Sequence, residues 1–538
     1  MVKKFVLCIL ALTLMLSFSA CNKDDESKNG NDNLLSSSSE ESESTSDLGL
    51  KESQEEASKQ EEEQIYAAYS YALGLKSFEK AEGTVNLKGV SLDCNKEDLK
   101  LRAEKLFEKG DTKINLILDE SFCIENANPE LSAQGYMIKA DNDITVTAAT
   151  EAGLYYGVRT LSDYNKLQGC IEKGIYLDWP DVAERCLHFD VARKHFSKDF
   201  IIDMIEHAAT YKMNAVQLHF SENEGFRIEC ETDPAIVSDK YLTKAEVREI
   251  LAAAKEHYVE IIPSFDSPGH LLQVLKVHPE FSLTDVDGYN SPKTLDITNP
   301  DAVAYIKSLL DEYAELFSDC KSFNIGGDES FGWSNIDRMQ FGAWKVLENH
   351  AKATYGDAAN AHDSYVGYLN DIAAYIMDKG FTVRAWNDGL MRTTGQAAVV
   401  KPDPKIEICY WSNSYALRAA GVQSFLDAGH NVYNVNEPYM YYVLKDEYEQ
   451  PRATKIFKEW NAGILPDSNC DYKTPEEVGK QLKGAYFCIW CDRPDTQTAE
   501  EILEGSSRAM AAMAVKAWNA NPNIDYADFA AQFNAITA

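Results

Sequence analysis

Residues 321–330 read KSFNIGGDES, in which a short apolar stretch runs into two glycines and then two adjacent acids. Residues 322–325 have the length and composition of a buried strand. The glycines let the backbone turn tightly or lie close to a ligand, and Asp328 and Glu329 then project together from the strand end. Because two neighbouring carboxylates cannot both ionise cheaply, we expect one to be held toward its protonated form, as suits a general acid beside a permanent anion. An acidic helix cap after a strand is the alternative interpretation.

Short apolar runs alternate with longer amphipathic segments from residue 181 to residue 538. The runs of strand length are Cys186–Val191, Ala215–Phe220, Val259–Phe265, Phe323–Gly326, Thr382–Trp386, Ile406–Trp411, Val432–Val435 and Ala485–Trp490. Helical periodicity lies between several of them, in Lys244–His257, Ala302–Phe317, Ser364–Lys379 and Ala499–Trp518. About eight βα units in roughly 350 residues predict an α/β fold of the (β/α)8 TIM barrel class. A doubly wound open sheet is the alternative, but no glycine-rich phosphate loop follows a first strand.

Residues 65–180 are predicted to form a smaller α/β domain that precedes the barrel and takes no part in catalysis. Residues 136–140 and 144–148 alternate apolar and polar side chains at period two around the turn 141–143. Residues 153–167 then carry apolar side chains at helical spacing. None of these segments holds a cluster of reactive side chains.

The first 21 residues have the character of a targeting segment. Two lysines precede the apolar run 5–20, which is too short to span a bilayer as a mature helix. Small residues directly before Cys21 resemble a bacterial lipobox, so residues 1–21 are predicted to be a lipoprotein signal peptide with Cys21 as the lipidated residue. An ordinary signal peptide is the alternative. We therefore expect the protein at the bacterial cell surface, lipid-anchored to the outer face of the cell membrane.

Residues 22–64 are predicted to be a disordered acidic tether, because 14 acidic residues against 4 lysines and few aliphatic residues cannot support a core. The whole chain has a formal net charge of −34. Such a charge argues against nucleic acid as a partner and against anionic membrane surfaces, so the lipid is the expected membrane contact.

The 12 cysteines are dispersed and form no disulfide framework. Cys488 and Cys491 have CxxC spacing, but no second pair of cysteines or histidines accompanies them. No spacing of histidine, cysteine and acidic residues elsewhere predicts a metal site, and we expect neither a metal nor a cofactor.

Reactive residues of a TIM barrel collect at the carboxyl ends of its strands, because the loops that follow the strands form the mouth. Here those positions carry acids, one arginine, two histidines and four aromatic rings. They are Arg193, His219, Glu222, His270, Asp328, Glu329, Trp386, Trp411, Tyr439, Trp490 and Asp492. Rings stack on the apolar faces of sugars and charged groups hold hydroxyls, so the set predicts a sugar pocket. The alternatives are a strand-end tryptophan that belongs to the core, a buried core histidine at 219, and an arginine at 193 that only pairs with Asp190.

The order of six motifs along the chain resembles glycoside hydrolase family 20, the β-N-acetylhexosaminidases. The motifs are DVARKHF (190–196), KMNAVQLHFSENEGFRIE (212–229), IIPSFDSPGH (261–270), NIGGDE (324–329), AWNDG (385–389) and IWCD (489–492). The resemblance covers residues 181 to about 520, and residues 65–180 are similar to the domain that precedes the barrel in this family.

The resemblance implies a retaining mechanism in which the 2-acetamido oxygen of a β-linked GlcNAc or GalNAc attacks its own anomeric carbon. Glu329 is implied to protonate the leaving oxygen and later to activate water. Asp328 is implied to remain ionised and to orient the acetamido N–H. His270 would relay protons behind Glu329, with Glu222 behind His270.

The resemblance also implies the residues that bind the substrate. Arg193 would hold hydroxyls of the terminal sugar, and Trp386, Trp411 and Trp490 would wall the pocket. Tyr439 would bond the acetamido oxygen.

Several positions depart from the common family pattern. Glu222 is one methylene longer than the usual aspartate, and Gln217 replaces a frequent histidine. Asp492 stands in place of a glutamate and Tyr441 in place of an aspartate. Gln217 and Asp492 are similar to the lacto-N-biosidase branch, which removes Gal-β1,3-GlcNAc as a disaccharide. We expect the protein to release terminal N-acetylhexosamine, and release of the disaccharide is the alternative.

Two further classes of function remain open from the sequence. A surface-anchored glycan-binding protein without catalysis would share the tether and the aromatic wall, but charged groups in a partly buried site are costly if binding is the only task. Another barrel hydrolase would need a second acid about 5–10 Å away, for which Glu222 and Asp492 are the candidates.

Overall fold

The computed structural model describes residues 72–125, 127–330, 338–392, 398–412, 419–466 and 479–537. The predicted signal peptide, Cys21 and the acidic tether lie outside these residues. Among the helices in the described part of the chain, none combines the length and the apolar character that crossing a bilayer requires.

A six-stranded mixed sheet, covered by one long helix, occupies residues 77–178. Its strands are β1 (Ser77–Asn86), β2 (Val90–Cys94), β3 (Thr112–Leu118), β4 (Tyr136–Ala140), β5 (Ile144–Ala148) and β6 (Cys170–Asp178), in the spatial order β1-β6-β4-β5-β3-β2. The helices are α1 (Glu97–Glu104), α2 (Pro129–Ser132) and α3 (Glu151–Gln168).

Helix α3 shows how local sequence defines this layer. The Thr150 hydroxyl caps its start by accepting the N–H of Gly153, and Gly169 ends it in the left-handed conformation at φ 69°. Leu154, Val158 and Leu161 are fully buried along one face. The predicted helix and the two predicted strands β4 and β5 are confirmed.

Eight parallel strands close into a barrel after this sheet. The strands from residue 184 onward are β7 (Glu184–Asp190), β8 (Ala215–His219), β9 (Ser221–Glu222), β10 (Gly225–Phe226), β11 (Glu260–Ser267), β12 (Ser282–Thr284), β13 (Asn290–Leu295), β14 (Ser322–Gly326), β15 (Thr382–Trp386), β16 (Glu407–Tyr410), β17 (Val432–Asn434), β18 (Tyr441–Val443) and β19 (Leu482–Trp490). The barrel consists of β7, β8, β11, β14, β15, β16, β17 and β19, and the pairing of β17 with β19 closes it. Strand β18 pairs with the far part of β19.

All eight predicted barrel strands are confirmed, with ends that differ from the prediction by no more than three residues. The helices that follow the N-terminal sheet are α4 (Lys198–Thr210), α5 (Lys244–Glu256), α6 (Leu272–Leu275), α7 (Pro300–Leu316), α8 (Arg338–Tyr355), α9 (Ala361–Met377), α10 (Val422–Asp427), α11 (Glu437–Met440), α12 (Ala453–Glu459), α13 (Ala499–Trp518) and α14 (Tyr526–Thr537). The four predicted helices correspond to α5, α7, α9 and α13. The alternative of an open doubly wound sheet is excluded by the closed strand order.

The amino-terminal end of the barrel is filled by a buried ion pair. Arg384 donates to both carboxylate oxygens of Glu184, at 2.6 and 2.8 Å, and to Ser322 Oγ at 3.0 Å. Its guanidinium lies 4.0 Å from the centre of the Tyr433 ring. This end is therefore occupied by side chains, and the carboxyl end of the barrel carries the mouth.

The two glycines after β14 are required by the backbone. Gly326 and Gly327 have φ values of 75° and 96°. A Cβ on Gly326 would lie 2.5 Å from Asp266 Oδ1 and 2.8 Å from Asp266 Cα. The Tyr365 hydroxyl donates to the Gly327 carbonyl and holds the turn from the side of α9. The GG pair thus brings the following acids close against β11, as the sequence suggested.

We predict that Gly326→Ala lowers the free energy of unfolding by about 2–3 kcal/mol more than Gly380→Ala does. Gly380 is the matched control, because its φ is also positive, at 100°, but a Cβ there would meet nothing within 4 Å. Urea unfolding of both variants measures the difference. Equal destabilisation would mean that the contact with β11 does not require a glycine.

Candidate active site

A cavity of about 260 Å³ opens at the carboxyl end of the barrel. Eight of the predicted site residues line it, namely Arg193, His270, Asp328, Glu329, Trp386, Trp411, Trp490 and Asp492. A larger groove of about 1630 Å³ lies at the opposite end, where the N-terminal sheet meets the first residues of the barrel strands. Charged side chains of both signs line that groove, and it holds none of the predicted residues.

A chain of alternating charges runs along one side of the cavity. Glu222 Oε1 accepts from Arg193 Nη2 at 2.5 Å and lies 2.7 Å from His270 Nδ1. The other ring nitrogen of His270, Nε2, lies 3.4 Å from Asp328 Oδ2 and 3.8 Å from Glu329 Oε2. The longer side chain of Glu222 therefore reaches the histidine, and the histidine faces both acids.

The surroundings fix the charges in this chain. Burial disfavours the imidazolium of His270, but the carboxylates of Glu222 and Asp328 outweigh it and raise its pKa well above the usual value. Burial also disfavours the Glu222 anion, yet His270 and Arg193 hold the pKa of Glu222 well below its usual range. The two residues are thus a charged pair at neutral pH.

The adjacent acids have different environments. The side chain of Asp328 is 14% exposed, whereas that of Glu329 is 54% exposed at the mouth. Burial raises the pKa of Asp328 to about 6, with His270 opposing the shift and Glu329 adding to it. The sequence predicted a raised pKa for the general acid beside an ionised Asp328, but the raised pKa belongs to Asp328 itself, because it is the buried acid. With a pKa of about 6, Asp328 is still mostly ionised at pH 7.

The three predicted tryptophans form a continuous aromatic wall with one tyrosine. The ring centre of Trp490 lies 6.0 Å from that of Trp386 and 5.8 Å from that of Tyr441. Tyr441 in turn stacks on Trp411 at 6.1 Å with an angle of 11° between the ring planes. The Arg193 guanidinium lies 5.3 Å from the centre of the Trp490 ring. Aromatic rings that line a cavity with a cation at one end are suitable contacts for a sugar ring.

The structure corrects the prediction for Tyr439. Helix α11 turns the chain just before β18, so the residue that faces the cavity is Tyr441 and not Tyr439. The Tyr439 ring is half-buried on the outer side, with Lys455 Nζ 4.5 Å from its centre. Because side chains alternate along β18, Val443 is the next residue that lines the cavity.

Gln217 and His219 also do not line the cavity, contrary to the prediction. Both are fully buried inside the barrel. Gln217 Nε2 lies 3.0 Å from His188 Nδ1, and its Oε1 accepts from Asn324 Nδ2 at 3.3 Å. His219 Nδ1 lies 3.1 Å from Ser264 Oγ, and burial lowers the pKa of His219 to about 3. Strand β8 points these side chains inward, but at a depth below the mouth, so they support the site from beneath.

A family model described as the catalytic domain of glycosyl hydrolase family 20 matches residues 183–521, and a model of domain 2 of the same family matches residues 45–173. The chain belongs to glycosyl hydrolase family 20. The family's motifs, found in the sequence, thus coincide with the barrel and the site built at its mouth.

Relatives within family 20 include a lacto-N-biosidase of Bifidobacterium bifidum, which is 27% identical over 397 residues and 72% of this chain. A β-hexosaminidase of Vibrio vulnificus is 24% identical over 358 residues and 56% of this chain. The chain covers 33% of the first relative's length and 41% of the second's.

Solved structures of family 20 share the fold. The β-N-acetylhexosaminidase of Streptomyces coelicolor superposes with a TM-score of 0.65 at 17% identity, over 87% of this chain and 97% of that chain. The β-N-acetylhexosaminidase of Bacteroides fragilis gives a TM-score of 0.62 at 19% identity, over 81% and 89% of the two chains.

One group of side chains has metal-like spacing that the sequence did not reveal. His219, Glu222 and Asp266 each place one ligand atom within 4.8 Å of the others. Glu222 is already neutralised by Arg193 and His270, and the charge on His270 would repel a cation. The group is therefore better suited to holding protons than a metal ion.

Cys488 and Cys491 are both buried, and they pack in two different apolar clusters.

Sequence reasoning missed several residues of this family 20 site. The cavity is also lined by Glu437, Val443, Lys445 and Tyr448, which follow β17 in a segment without clear periodicity. Asp388 was missed although it lies within the AWNDG motif. It is 1% exposed, and its carboxylate contacts Glu329 and Trp411.

We predict that Asp328→Asn makes the protein more stable than the wild type at pH 8, by up to about 3 kcal/mol. The pKa of Asp328 is about 6 when folded and about 3.9 when unfolded, so its ionisation opposes folding increasingly from about pH 4 and to the full extent above about pH 6. The gain should shrink between pH 6 and pH 4, where the wild-type side chain takes up its proton in the folded state. Thermal unfolding at a series of pH values measures the difference in stability between Asp328→Asn and the wild type. Asp378→Asn, at an exposed position, is the control. A variant less stable than the wild type at pH 8 would contradict the buried-anion assignment.

Proposed function

We propose that the protein is a retaining exo-glycosidase that hydrolyses terminal β-linked N-acetylhexosamine, GlcNAc or GalNAc, from glycans. The observation that carries the proposal is that Asp328 and Glu329 share one cavity with the His270 cation and a wall of aromatic rings. One acid is buried and the other lies at the mouth, so adjacent carboxylates can perform different tasks. Membership of family 20 supports the same reaction.

In the first step, the acetamido oxygen of the substrate attacks the anomeric carbon while Glu329 gives its proton to the leaving oxygen. The bond to the leaving sugar breaks and a cyclic oxazolinium forms. In the second step, Glu329 takes a proton from water, the water oxygen attacks the anomeric carbon, and the ring reopens to the acetamide. The half-exposed position of Glu329 suits both proton transfers.

Asp328 accepts the acetamido N–H and stabilises the positive charge on the oxazolinium. His270 supports this role, because its imidazolium lies 3.4 Å from Asp328 and favours the ionised form. The pair of His270 and Glu222 thus lies close enough to influence the charge of Asp328 as well as that of Glu329.

The remaining cavity residues bind the sugar. Arg193 is held by Asp190 at 2.9 Å and by Glu222 at 2.5 Å, so its guanidinium is oriented before a hydroxyl arrives. Trp386, Trp411 and Trp490 enclose the acetamido group and the ring, and Tyr441 lines the same cavity.

For the location of the protein, we propose that Cys21 carries a lipid and that the acidic tether holds the barrel away from the cell membrane. In this location a glycan is the partner of the protein, and nucleic acid is not a partner. Metabolic labelling with a radioactive fatty acid, compared between the wild type and Cys21→Ser, tests the anchor.

We predict that an aryl β-GlcNAc glycoside is cleaved and that the corresponding β-glucoside, which lacks the acetamido group, is not. Glu329→Gln should lower kcat at least about 100-fold, because the amide cannot donate the proton. Asp328→Asn should lower kcat by several orders of magnitude while glycan binding persists. Steady-state kinetics and calorimetric binding measure the two effects. Binding without turnover in the wild type would instead favour a surface glycan receptor, and an unchanged rate in Asp328→Asn would refute its role.

Release of Gal-β1,3-GlcNAc as a disaccharide is the second candidate. It is favoured by the aliphatic Val443 in the lining of the cavity and by the similarity to a lacto-N-biosidase. An acid at the position of Val443 would bind the hydroxyls of a terminal GlcNAc and so exclude a further sugar on them, whereas an aliphatic side chain does not. Rates on aryl glycosides of GlcNAc and of Gal-β1,3-GlcNAc, measured side by side, decide between the candidates.

A further inference from the structure

The carboxylate of Asp388 connects the proton donor to the aromatic wall. It follows β15, two residues after Trp386, and is 1% exposed. Its Oδ2 accepts the backbone N–H of Glu329 at 2.8 Å, and its Oδ1 accepts the indole Nε1–H of Trp411 at 3.1 Å. Each carboxylate oxygen therefore accepts one hydrogen bond, from a residue that follows β14 and from a residue that follows β16, and both of these residues line the cavity.

The backbone of Glu329 needs such support. Its φ of 45° lies in the left-handed region, which costs a residue with a side chain about 1–2 kcal/mol. Such conformations persist where the surroundings over-determine them. Tyr365 holds the preceding turn at the Gly327 carbonyl, and Asp388 holds the N–H of Glu329 itself. The two contacts fix the peptide planes before the acid.

We propose that Asp388 is a positioning residue, which holds the Glu329 backbone and the Trp411 ring in one fixed geometry so that the proton donor meets the glycosidic oxygen of a sugar stacked on the wall. This role rests on the proposed function, since it assumes that Glu329 is the acid. Asp388 itself does not line the cavity and acts through the two residues that do.

The chemistry of the side chain makes the role testable. An asparagine has one acceptor oxygen and one N–H donor group, so it cannot accept from both the Glu329 N–H and the Trp411 indole. One of these two partly buried donors then faces another donor and must move. Trp411→Phe keeps an aromatic ring at this position but removes the indole N–H together with the five-membered part of the ring system.

The experiment compares Asp388→Asn, Trp411→Phe and the exposed control Asp378→Asn on aryl glycosides that carry the glycone preferred by the wild type. The aryl groups range from basic to acidic phenols, because an acid catalyst contributes most where the leaving oxygen is basic. Asp388→Asn should lower kcat about 10- to 100-fold for the most basic phenol and less than about threefold for the most acidic one. KM should stay within about threefold, and the control should match the wild type.

Trp411→Phe should show the same dependence on the leaving group with a smaller loss, and Asp388→Glu should recover part of the rate because it keeps two acceptors. An equal loss on all phenols, or no loss, would overturn the positioning role. If Asp388→Asn does not fold, as shown by thermal unfolding, Trp411→Phe decides alone: a rate that is lowered equally on all phenols overturns the role. A wild-type protein that turns over neither glycone overturns the proposed function and this role together.

Discussion

The buried pair of Glu222 and His270 is the interaction on which the active site depends. Two charges removed from water are costly unless each finds a partner with good geometry, and here the partners are 2.7 Å apart. Arg193 shares the same carboxylate, so the negative charge of Glu222 lies between two cations. If one member were lost, an uncompensated charge would remain beside the reacting groups.

This pair determines what the neighbouring acids can do. Burial raises the pKa of Asp328, and the His270 cation limits the rise so that an anion persists near neutral pH. The electrostatic field of the site is thus built before a substrate enters, which is the condition for stabilising a developing positive charge. Glu329 lies outside this buried region and keeps contact with solvent, as a residue must that exchanges protons with water.

The sequence was sufficient for the barrel because each barrel strand is a short apolar run and helical periodicity lies between several of these runs. It was also sufficient for most of the site, since parallel strands bring their carboxyl ends to one rim. It was not sufficient for depth: Gln217 and His219, predicted to contact the substrate, are fully buried inside the barrel and do not line the cavity. It also failed at Tyr439, where a one-turn helix moves the cavity-facing position to Tyr441. Asp388 was hidden because its partners, a backbone N–H and an indole, are distant in sequence.

The central claim is that the nucleophile belongs to the substrate and not to the protein. The most direct measurement is kcat for a series of aryl glycosides whose N-acyl group carries zero, one, two or three fluorine atoms. Each fluorine withdraws electrons from the acyl oxygen and makes it a weaker nucleophile without changing the protein. The account predicts that kcat falls steeply along the series, whereas rates that remain level would contradict it and indicate a nucleophile on the enzyme.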